Sequence, residues 1–182
     1  MSDEQRPPSP RRAELLARAY DYVLSHGLAE LSLRPLAAAI GSSPRVLLFL
    51  FESKDGLIRA LLAHARADQL ALLSGIRREL AGAERGTVVR AVWRWLSDPS
   101  HRPLLVLWLE AYGRSLSEPD GPWADFARQT VTDWLAILSG PATEPTLALA
   151  VLRGCLLDLL ATGDADRTTA ALEDFLASSS AR

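Results

Sequence analysis

Lysine is almost missing from this chain: among 182 residues it occurs once, at Lys54, and arginine carries nearly all the positive charge. Cysteine also occurs once, at Cys155, which excludes a disulfide framework within the chain and fits a reducing compartment. Only three histidines are present, His26, His64 and His101, on separate segments with no HExxH and no metal-ligand spacing. Cys155 stands in leucine-rich sequence, where a thiol stays protonated and inert. Gly82 and Gly86 are isolated, so there is no glycine-rich phosphate loop. Without a catalytic constellation, neither an enzyme nor a bound metal or cofactor is expected.

A strong excess of charge is lacking as well. The net charge is −2, and residues 1–60 hold eight Arg or Lys against seven Asp or Glu, far from a strongly basic nucleic-acid footprint. If nucleic acid is bound, a few well-placed charges must do it. Apolar runs are interrupted by Glu110, Arg153 or Asp158 before reaching about 18 residues, so no membrane span is expected. The first ten residues are polar and proline-rich rather than a signal peptide. A soluble, cytoplasmic protein is the expectation.

What is present favours helices. Apolar residues make up 48% of the chain, enough for a sizeable core. Ala, Leu and Arg are plentiful and Val, Ile and Thr sparse, which predicts an all-α fold. Ser9 and Pro10 open a first helix whose buried face is Leu15, Leu16, Ala19, Tyr20, Val23 and Leu24, closed by Gly27. A short second helix follows Ser32 through Leu33, Leu36, Ala37 and Ile40 and stops at Gly41. A third, capped by Ser43, runs from Pro44 to about Phe51, with Val46 and Leu47 as its inner face. Ser53 caps a fourth that extends to about Leu80. Further helices are predicted over 87–96, 104–116, 123–138 (ending at Gly140-Pro141), 145–161 and 164–177, the last with an inner face of Ala171, Leu172, Phe175 and Leu176.

The stretch from Ser32 to Lys54 reads as helix, glycine-containing turn, helix, then a further helix start. That is the helix-turn-helix arrangement, whose second helix enters the major groove of DNA. Ala37, Ala38 and Ala39 let the two helices cross closely, and Gly41 permits the turn. A plain helical hairpin gives the same spacing.

The ordered combination resembles the amino-terminal domain of the TetR family of bacterial repressors. It comprises Tyr20, His26-Gly27-Leu28, Ser32-Leu33, Leu36-Ala37, Ile40-Gly41, Ser43, Leu47, Phe51, Ser53-Lys54 and Leu57, over roughly residues 12–63. The resemblance implies about nine helices. Residues 1–60 would be a three-helix DNA-binding domain, with 1–9 disordered, and residues 61–182 a helical domain for ligand binding and dimerisation. It implies a homodimer on a palindromic double-stranded operator, released by a small-molecule effector. Ser32 and Arg34 then fall on phosphate-contacting positions, Ser42, Ser43 and Arg45 at the base-reading start of the recognition helix, and Lys54 on a phosphate-binding lysine. Lys54 as a solvated surface lysine, and Arg45 in a salt bridge to Glu52 or Asp55, are the alternatives. The chain departs from the family at Leu48-Phe49-Leu50, where members usually carry Tyr or His. Phe49 can touch a thymine methyl, but the run from Val46 to Phe51 is wholly apolar and lacks donors for phosphate. A protein of this fold with weakened DNA binding, acting as an interaction or ligand-binding module, is the competing reading.

In the carboxy-terminal part, Trp93, Trp108, Tyr112, Phe126 and Trp134 are candidates to line an apolar ligand cavity, the alternative being that they simply fill the core. Glu110 and Arg114 share a stripe and are expected to pair. The helix over 145–161 is apolar almost all round, and with the last helix it is expected to form a four-helix dimer contact through Leu152, Cys155, Leu156, Leu159, Leu172, Phe175 and Leu176. Arg153 and Asp158 interrupt this helix, placed at its rim or across the interface.

Overall fold

A computed structural model describes residues 9–28, 31–138 and 144–180. Within them the chain forms nine α-helices: α1 Pro10–His26, α2 Leu33–Ala39, α3 Pro44–Phe51, α4 Lys54–Glu79, α5 Arg85–Leu96, α6 Arg102–Ser117, α7 Phe126–Ile137, α8 Glu144–Thr162 and α9 Ala165–Ser180. A 3-10 turn, Pro99–His101, leads into α6. The expected disorder of residues 1–8 and the helix stop at Gly140-Pro141 lie outside the described residues. Ser9 caps α1 as its place before Pro10 indicates, accepting from the Arg12 N–H at 3.2 Å, so the expected amino-terminal disorder does not extend through it.

The capping residues set the amino-terminal boundaries. Ser43 Oγ accepts from the Val46 N–H at 3.3 Å and Ser53 Oγ from the Gly56 N–H at 2.9 Å, so α3 and α4 begin where their serines satisfy free amides. Gly27 leaves α1 at φ 79°, a conformation that side chains resist. The predicted start of the seventh helix at Trp123 is too early. Asp125 sits at φ 64°, so Trp123 ends a turn and α7 begins at Phe126.

The first three helices and the start of α4 share a core of Leu15, Ala19, Leu36, Leu47, Phe51 and Leu57. Val46 is 38% exposed and does not belong to it. The inner face of α3 is Leu47 and Phe51, four residues apart, and Val46 lies one step off that stripe. α4 then runs on into the second layer, where Arg66 grips Asp133 of α7 through two bonds of 2.7 and 2.9 Å. α5 is tied to α9 by the Trp93 indole N–H donating to Thr169 Oγ1 at 2.9 Å and by Arg90–Glu173 at 2.8 Å.

α8 and α9 form an antiparallel pair, joined by Arg167 reaching both oxygens of Asp158 at 2.6 Å. Leu172 and Leu176 are buried in α9 and Phe175 half-buried, but Ala171 is exposed; the polar Thr168 takes the buried place one turn earlier. Residues 145–162 are long and apolar enough, by length and composition, to cross a membrane, contrary to the sequence expectation. Two charges in that window do not lower its hydropathy far, and both have side-chain partners within the chain.

Candidate nucleic-acid interface and ligand cavity

α2 and α3 turn through 102°, joined by Ile40 to Ser43 with Gly41 at φ 66°. That angle and turn length are those of a helix-turn-helix. Two arginines of α1 hold the unit from behind. Arg18 donates to the Ile40 carbonyl at 3.3 Å, satisfying the end of α2. Arg12 donates to the Leu50 carbonyl at 3.2 Å, and its guanidinium stands 4.8 Å over the Phe51 ring. Both satisfy carbonyls that a helix terminus leaves without partners, where positive charge is favoured.

On the outer side, Ser32, Arg34, Arg45 and Lys54 are all exposed. Among the described residues Arg34, Arg45 and Lys54 have no hydrogen-bond or ion-pair partner, and the alternative pairing of Arg45 with Glu52 or Asp55 is not formed. The Ser32 hydroxyl makes no capping bond. Ser43 Oγ is occupied as a cap, and Ser42 Oγ is buried without a partner. Phe49 projects from α3 at 83% exposure, with Leu48 beside it. The face therefore presents three unpaired cations around an apolar ridge.

The second feature is an apolar cavity of about 60 Å³ between α6, α7 and α8. Trp108 and Tyr112 of α6, Trp134 of α7, and Leu152 and Arg153 of α8 are among its walls. The Trp108 and Trp134 rings meet edge to face at 6.2 Å. Arg153 stacks 5.1 Å over the Tyr112 ring and donates to its hydroxyl at 3.4 Å. From α6, between the cavity residues Leu109 and Tyr112, Glu110 points the other way: its Oε2 accepts from the Leu28 N–H, just after α1, at 3.0 Å. One helix thus touches both the cavity and the helix-turn-helix unit.

No family model matches the chain, and no curated protein is similar enough to register. Solved structures do match. The multidrug binding protein EbrR, complexed with imidazole, is 27% identical with a TM-score of 0.70, over 90% of this chain and 86% of that one. The TetR-family member SCO1917 from Streptomyces coelicolor A3 is 28% identical with a TM-score of 0.68, over 90% and 95%. The transcriptional regulator SCO7518 from Streptomyces coelicolor A3(2) shares the fold at a TM-score of 0.73 and 20% identity, over 90% and 95%. The chain is similar in fold and sequence to TetR-family transcriptional regulators.

Within this TetR-like fold the sequence-predicted residues separate into those brought together and those not. Trp108, Tyr112 and Trp134 meet at the cavity. Trp93 does not, because its indole is spent on Thr169 between α5 and α9. Phe126 faces a different cleft, bordered by Arg59, Arg66 and Gln129. Arg114 pairs with Glu118 at 2.7 Å rather than with Glu110, and also covers the Trp123 ring. Leu152, Leu156, Leu159, Leu172 and Leu176 are buried inside the protomer. Cys155 and Phe175 are half-buried, and burial pushes the Cys155 thiol above its ordinary value. The apolar stripe that α8 leaves exposed is Leu147, Ala150, Gly154, Leu157 and Ala161, spaced alternately by three and four.

Sequence reasoning missed Arg12, Arg18 and Gly56, and gave Glu110 a different partner. An arginine in a surface helix carries no mark of which carbonyl it will reach. Gly56 did carry a signal: a glycine in a helix's first turn forgoes helix propensity, and here a Cβ would lie 2.0 Å from the Phe51 carbonyl oxygen.

Proposed function

We propose that this chain is a ligand-responsive operator-binding regulator that works as a homodimer and represses by occupying a palindromic site. The observation that carries the reading is the face of α2 and α3, where Arg34, Arg45 and Lys54 are exposed and unpaired on a helix-turn-helix bent through 102°. Arg45, at the start of α3, is placed to reach a guanine edge, and Arg34, Ser32 and Lys54 to hold phosphates on either side. Phe49 adds apolar contact with a thymine methyl. Arg12 and Arg18 act behind the face as positioning residues for α3 and α2.

The partner is a second copy, packed through the exposed α8 stripe, whose three-and-four spacing suits helix-against-helix packing. The effector is a small apolar or aromatic molecule in the cavity between α6, α7 and α8. EbrR, a multidrug binding protein, is also known complexed with proflavin, at 25% identity and a TM-score of 0.65 over 90% of this chain and 96% of that one. Filling the cavity displaces α6, and the Glu110–Leu28 bond carries that displacement to the segment between α1 and α2.

The test is binding to duplex DNA flanking the protein's own gene, titrated against salt and non-specific competitor. Arg45→Ala is expected to weaken the specific site by about 1–3 kcal/mol and relax its sequence preference. Lys54→Ala is expected to weaken all sequences alike and reduce the salt slope by about 1. A second reading is favoured by Phe49: an 83%-exposed aromatic on an apolar helix is also a protein-docking ridge. On that reading Phe49→Ala leaves DNA affinity untouched and abolishes a protein contact instead.

A further inference from the structure

The cavity walls carry an uneven set of polar groups. Arg153 is the one charged residue among them, and no carboxylate lines the space. Arg153 spends one guanidinium nitrogen, Nη1, on a long 3.4 Å bond to Tyr112, while Nη2 is buried without a partner. The Trp108 indole N–H is buried without a partner too. Both groups only donate.

The nearby acids are committed elsewhere. Asp158, on the same helix as Arg153, is held by Arg167, which keeps its carboxyl below the usual range. Asp133 of α7 is bound by Arg66, and Glu118, just after α6, by Arg114. Glu110 turns toward Leu28. A guanidinium nitrogen buried with an idle N–H bears a desolvation cost that an acceptor would relieve.

Resting on the reading that this cavity holds the effector, we propose that the effector is an organic anion, an aromatic or apolar body bearing a carboxylate that Arg153 and Trp108 bind together. The carboxylate accepts charge-assisted bonds from Arg153 Nη2 and a bond from the Trp108 N–H. The body lies against Trp134, Tyr112 and the leucines. A cation of the same shape meets the Arg153 charge with no carboxylate to balance it. At about 60 Å³ the cavity is smaller than the roughly 150 Å³ that holds a benzene ring, so binding parts α6 from α8.

The experiment is calorimetric titration of the full-length protein with three molecules of one shape: 3-phenylpropanoate, the neutral 3-phenylpropan-1-ol and the cationic 3-phenylpropylamine. The acid is expected to bind at least about tenfold more tightly than either analogue. Arg153→Met is expected to remove that advantage while leaving the alcohol's affinity within about twofold, and Arg153→Lys to restore part of it. Trp108→Phe is expected to weaken the acid about threefold or more. An amine or alcohol that binds as tightly as the acid, or an acid indifferent to Arg153→Met, overturns the proposal while leaving the cavity an effector site. Failure of all three to bind at millimolar concentration overturns both readings. The wild-type comparison alone is decisive should a variant not fold.

Discussion

At Gly56 a hydrogen atom occupies the only space left between the start of α4 and the end of α3. A methyl group there would stand 2.0 Å from the Phe51 carbonyl oxygen, which belongs to the backbone and cannot swing aside. Glu52, at φ 67°, already bends the connection sharply. Gly56→Ala is therefore expected to destabilise the protein by about 1–3 kcal/mol through overpacking, despite alanine's better helix propensity. Thermal unfolding followed by circular dichroism checks this: a melting temperature at or above wild type contradicts the geometry. The residue scale is also where sequence alone reads least well. Sequence places Arg153 at the rim of its helix or across an interface, yet its guanidinium stacks over Tyr112 of the same chain. Spacing put Trp108 and Tyr112 on one face, but nothing in the spacing separates the tryptophan that borders a cavity from Trp93, which finds Thr169.

Among the elements, α6 has the most consequential position. Trp108, Leu109 and Tyr112 face the cavity, and Glu110 between them holds the Leu28 N–H. Glu110→Ala removes that acceptor, and its expected effect is selective: the effector and DNA still bind, while the change in DNA affinity on adding effector shrinks. DNA affinity measured with and without saturating effector checks this, and an unaltered ratio would place the coupling elsewhere. Helix boundaries, by contrast, were largely legible, because serine caps, prolines in first turns and terminal glycines act locally and leave their mark in sequence. Ser43 and Ser53 cap α3 and α4 as their position indicates. α8 was legible as an apolar helix but not as an oriented one. With leucines on every side there is no polar face to mark the outside, and five of the seven residues assigned to a partner are buried in the protomer.

For the whole molecule, the apolar outer stripe of α8 calls for a cover, and in the proposed function a second copy supplies one. Leu147 and Leu157 are 53% and 52% exposed in the protomer. Replacing both with Asp is expected to give a monomer by sedimentation velocity without unfolding it, because neither side chain is part of the core. Such a monomer keeps one recognition helix and loses the paired reading of two half-sites, so its affinity for a palindrome falls steeply while weak, salt-sensitive binding persists. The TetR-family fold, the unpaired cations around α3 and the α8 stripe all bear on one question: whether two copies read one twofold-symmetric stretch of DNA. A footprint on the DNA flanking the protein's own gene, in excess non-specific competitor, asks it directly. The account predicts one protected segment with two inverted half-sites separated by about one helical turn or a multiple of it, lost in the double-Asp variant. No protected segment, or protection that survives unchanged in a monomer, would contradict it.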